Sequence, residues 1–68
     1  MNSKLIKALK ARYKAQSAEA EATIEVYLNN AAGIGEHPQI VDEVAKQLEI
    51  LSSANDNLET LERCYEES

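Results

Sequence analysis

The chain has 68 residues, a formal net charge of −5 at pH 7, one cysteine, one histidine, and neither tryptophan nor phenylalanine. A single core of that size is marginal, so such chains generally depend on a disulfide, a metal or a partner subunit. Cys64 alone closes no internal disulfide, and with His37 it falls short of the ligand set of a zinc site, which leaves self-association as the staple.

The start of the chain is basic, at Lys4, Lys7 and Lys10. Ala11, Arg12 and Tyr13 follow it, without the apolar centre of a signal peptide. No run approaches the roughly 18 apolar residues of a membrane span. The expectation is a soluble, cytoplasmic protein with no membrane attachment, and a lone free thiol agrees with a reducing compartment.

From Lys4 to Ala32 there is no proline or glycine and eight residues are alanine, which predicts a first helix over about 4–32. Asn2 or Ser3 can cap it by accepting from first-turn amides. Gly33 can take the left-handed conformation that ends a helix, with Ile34 folding back onto the last turn, and Gly35 adds a second permissive joint. Pro38 suits the first position of a new helix, where its missing amide would have had no partner. Asp42 and Glu43 then meet the positive end of the helix dipole. A second helix is predicted over about 38–66, supported by Asp42 with Lys46 and Glu59 with Arg63 at four-residue spacing. The turn, 33–37, is short enough to force the helices antiparallel.

The second helix carries an apolar stripe at Val41, Val44, Leu48, Leu51, Asn55, Leu58, then Leu61 or Glu62, and Tyr65, in the alternating steps of a coiled coil. The matching stripe of the first helix is Leu5, Leu9, Tyr13, Gln16, Ala20, Ile24, Tyr27 and Ala31. Gln16 and Asn55 each interrupt their stripe and fall opposite one another, which predicts a polar layer in the core that fixes register. Ala8, Ala11, Ala15, Ala18 and Ala22 form another stripe on the first helix. It reads either as alanine filling exposed helical sites or as the contact for a further helix. The predicted fold class is therefore all-α: an antiparallel two-helix hairpin, coiled-coil-like, spanning 1–68 as one domain and dimerising into a four-helix bundle.

Lys4, Lys7, Lys10, Arg12 and Lys14 occupy the first fourteen residues, whereas the rest of the chain sets twelve acids against Lys46 and Arg63. A basic start can serve as a nucleic-acid patch. In an antiparallel hairpin it lies beside Glu59, Glu62, Glu66 and Glu67 and is largely neutralised, and the net charge repels phosphate at long range. Nucleic acid is accordingly not the expected partner.

Glu36 and His37 are adjacent in the turn, but acid and base work needs a pocket that holds a substrate, and a solvated turn provides none. Cys64 sits among Glu62, Glu66 and Glu67, a poor setting for a thiolate nucleophile. Neither a phosphate loop, a metal box nor a nucleophile elbow is present. The expectation is no catalytic residue, no cofactor and no metal site. Ile34, Glu36 and His37 in the turn read either as residues that end one helix, cap the next and pack Ile34 inward, or as the expected partner contact, presented together on a rigid scaffold whose remaining surface is repetitive Lys, Glu and Ala.

Asn29 to Pro38, followed by Ile40, Val41 and Asp42, resembles a group of very short, uncharacterised helical-hairpin proteins encoded by tailed phages, including phages of marine cyanobacteria. The resemblance extends to Ala11, Arg12 and Tyr13 and to the alternating Glu and Ala from Ala18 to Ala22. It departs at Asn30, Ala31 and Ala32, where those proteins often have Asn-Pro-Val before the glycine. What it implies is a phage accessory protein acting inside an infected host cell. The architecture also resembles plasmid-encoded RNA-binding hairpin dimers, by plan alone. The expected function is a non-enzymatic interaction protein, a homodimer that binds a host or phage protein. The alternatives are a structural or assembly factor and, more distantly, a nucleic-acid-binding hairpin dimer.

Overall fold

Long runs of alanine, leucine, lysine and glutamate without a breaker carry the chain through two helices. The computed structural model describes residues 3–29 and 39–65; α1 is Ser3–Asn29 and α2 is Gln39–Tyr65. Each has 27 residues, about 40 Å at the usual rise. The helix ends expected at Ala32 and Glu66, the stops at Gly33 and Gly35 and the start at Pro38 lie outside the described residues.

The helices pack against each other along their length, and their order is reversed. Ser17, in the middle of α1, bonds to Asn55 in the second half of α2, whereas Tyr27 and Leu28 at the end of α1 share a groove with Ile40, Val41 and Val44 at the start of α2. The result is the predicted antiparallel hairpin. Its extents are 51 × 15 × 14 Å and its radius of gyration is 15.4 Å, against about 11 Å for a compact domain of this length. The molecule is a rod two helices thick.

The seam of α2 comprises Ile40, Val44, Gln47, Leu51, Ala54, Leu58 and Leu61, each buried or half-buried, in alternating steps of four and three. From α1 come Ile6, Leu9, Lys10, Tyr13, Ser17, Ala20, Thr23, Ile24 and Tyr27. Val44, Leu51, Leu58 and Leu61 are where the sequence places them, but the rest of the predicted α2 stripe is rotated by one position. Val41 is 70% exposed, Leu48 56% and Tyr65 54%, and on α1 Leu5 is 56% exposed. Gln16 and Asn55 are exposed as well.

Desolvation accounts for the rotation. Placing Val41 and Leu48 inward would also turn Asn55 and Glu62 inward, and taking a carboxylate out of water costs several kcal/mol, more than the roughly 1.5 to 3 kcal/mol returned by burying a Leu. The observed face instead brings in Ile40, Ala54 and Leu61. Ala20 and Ala54, both 1% exposed, allow the two backbones to approach closely.

Candidate interaction faces

Two helices cannot enclose a large side chain, because each seam residue has a neighbour on one side and solvent on the other. Among the described residues the buried ones are Ala20, Ala54 and Leu61, and no large side chain is fully enclosed. The helical period divides the remaining surface into two flanks, one on either side of the seam.

The first flank carries Lys7, Lys14, Glu21 and Leu28 of α1 with Val41, Ala45, Leu48, Asn55 and Glu62 of α2. Near the turn end it opens into a groove of about 420 Å³ lined by Tyr27, Leu28, Ile40, Val41, Val44 and Ala45. The lining is apolar apart from the tyrosine hydroxyl, and Leu28 and Val41 at its rim are 64% and 70% exposed. Ala45 and Leu48 continue the strip towards Ser52.

The second flank is polar. Its groove, about 920 Å³ and open, is bordered by Gln16, Glu19, Thr23, Lys46, Glu49 and Ser53, with Ile50 among them. Thr23 turns its hydroxyl back to donate to the Glu19 carbonyl at 2.9 Å, a local bond that keeps it from reaching across the groove. Ile50 is 38% exposed.

The residues expected to form a polar core layer fall on opposite flanks, Gln16 beside the polar groove and Asn55 on the other side of the seam. The side-chain bond that Asn55 accepts comes from the Ser17 hydroxyl, 3.0 Å away and exposed. In the single hairpin Gln16 and Asn55 therefore form no layer, because the seam that separates them is rotated as described above. Ile34, Glu36 and His37, the expected partner contact, lie outside the described residues.

Glu59 and Arg63 form the predicted ion pair at 3.5 Å, but with side chains 74% and 65% exposed it adds little to stability. Antiparallel order sets the basic start of α1 alongside the acidic end of α2. The Cys64 thiol is free and exposed. Among the described residues no three His, Cys, Asp or Glu side chains are grouped to hold a metal, and no helix is long and apolar enough to cross a membrane.

The apolar groove at the turn end is not among the expected contacts. Its signal was present in the adjacent pairs Ile40 with Val41 and Val44 with Ala45, which give α2 two overlapping apolar stripes where a lone hairpin can bury one. Comparison of the chain with protein-family models, with curated proteins and with solved structures returned no match.

Proposed function

We propose that this chain is a small non-enzymatic interaction protein that works as a homodimeric four-helix bundle. In keeping with the resemblance carried by Asn29 to Pro38, it acts in the cytoplasm of an infected cell on a host or phage protein. The observation that supports this reading best is the imbalance of its apolar surface: among the described residues the buried set is Ala20, Ala54 and Leu61, while Leu28, Val41 and Leu48 are more than half exposed. An apolar strip of that kind, rimmed by charge, is the mark of an association surface.

The test is capture of the partner. A tagged copy expressed during infection is expected to bring down one protein in stoichiometric amount, and to lose it when Glu36 and His37 are both replaced by alanine. A tagged chain that purifies with nothing but its own second copy contradicts the partner reading.

A further inference from the structure

We infer that α1 of one copy packs against α2 of a second copy across the flank bearing Leu28, Val41 and Leu48, with both turn ends at the same end of the bundle. This packing rests on the self-association proposed above and specifies its geometry. A two-fold axis parallel to the rod sets each α1 beside the partner's α2, antiparallel, so a position on one meets the level at which it already sits within its own hairpin.

Along that flank the two surfaces match in three successive stretches. At the terminal end Lys7 and Lys14 meet Glu59 and Glu62. In the middle Ala18 meets Ser52, small against small, which lets the helices approach. At the turn end Leu28 meets Val41, which closes the apolar groove of Tyr27, Leu28, Ile40 and Val44 from both sides. Glu21, at the same helical position as Lys7, Lys14 and Leu28, is level with Leu48 inside the contact, where its stem covers that side chain and its carboxylate must reach out to water, while Glu25, level with Ala45, lies at the edge.

The other two arrangements fit worse. A two-fold axis across the rod would set Leu28 and Val41 against Lys7 and Glu62, covering apolar groups with charge. Packing through the second flank would bury Glu19 and Lys46 and place Val26 against Glu43.

The chain exposes 5325 Å², roughly 1,100 Å² more than a compact monomer of its mass, a surplus that comes from its rod shape.

Disulfide mapping tests the packing. In a Cys64→Ser background, Leu28→Cys chains are mixed under mild oxidation with mass-tagged Val41→Cys chains, and Lys7→Cys chains with tagged Glu62→Cys chains. Mixed disulfides are expected in both. A mixed disulfide between Leu28→Cys and Lys7→Cys, or between Val26→Cys and Glu43→Cys, would overturn the packing, as would a dimer that cross-links in none of these pairings.

A second variant is independent of cysteine chemistry. Val41→Glu, at a site largely exposed in the hairpin, is expected to keep its helical signal while the dimer dissociation constant rises on the order of 100-fold, the effect of burying an unpaired carboxylate. Ile50→Glu on the other flank is expected to leave that constant unchanged, and the opposite ranking would overturn the proposal. If the unmodified chain sediments as a monomer, the self-association reading itself fails; if it is a dimer with the wrong cross-links, only the packing does.

Discussion

Ala20 and Ala54 hold the hairpin together by being small. Both are 1% exposed, and at such close approach every added carbon must displace a backbone. Ala54→Leu is expected to cost about 1 to 3 kcal/mol in urea unfolding despite adding apolar surface; a gain in stability would mean that the helices are not in tight contact there. Among the described residues Leu61, 7% exposed, is the one large aliphatic side chain that two helices nearly cover. Leu61→Ala should cost on the order of 2 to 5 kcal/mol, whereas Asn55→Ala, which removes an exposed hydroxyl bond, should cost no more than about 1 kcal/mol. Equal losses for the two would refute the assignment of the seam.

At the scale of the elements, both helices and their antiparallel order are legible in the sequence because they depend on composition and on a breaker-rich turn. The face of α2 is less legible. At Gln47 and Leu48 hydrophobicity favours Leu48, but the choice is made jointly with Ala54 or Asn55 and with Leu61 or Glu62, and burying a carboxylate outweighs one leucine. A residue-by-residue ranking of apolarity cannot register that coupling. Gln16 and Asn55 are exposed in the hairpin for the same reason, since their pairing belongs to the rotated stripe. Leu48→Ala is accordingly expected to leave a diluted hairpin's helical content nearly unchanged while weakening its association. The turn belongs to this scale too. Replacing Glu36 and His37 with alanine should leave circular dichroism and melting almost unaltered while weakening capture of the partner. If melting falls and capture survives, those residues clip the helices together, and the contact must be sought on the acidic face of α2.

Taken as a whole, the molecule is a rod of 51 × 15 × 14 Å whose seam is half-covered, and the physical problem it poses is what completes the core. An internal disulfide is ruled out by the single cysteine, and two further helices from a second copy would supply the missing neighbours for Val41, Leu48 and Leu28 without any new chemistry. The hydrophobic term grows with the apolar area removed from water, so the hairpin's stability should be tied to its concentration. The most direct test is sedimentation equilibrium across micromolar concentrations, with helical content followed in the same samples. A particle of twice the 7.5 kDa chain mass is predicted, parting into hairpins on dilution with little change in helical content. A monomer that stays fully helical at every concentration would contradict it.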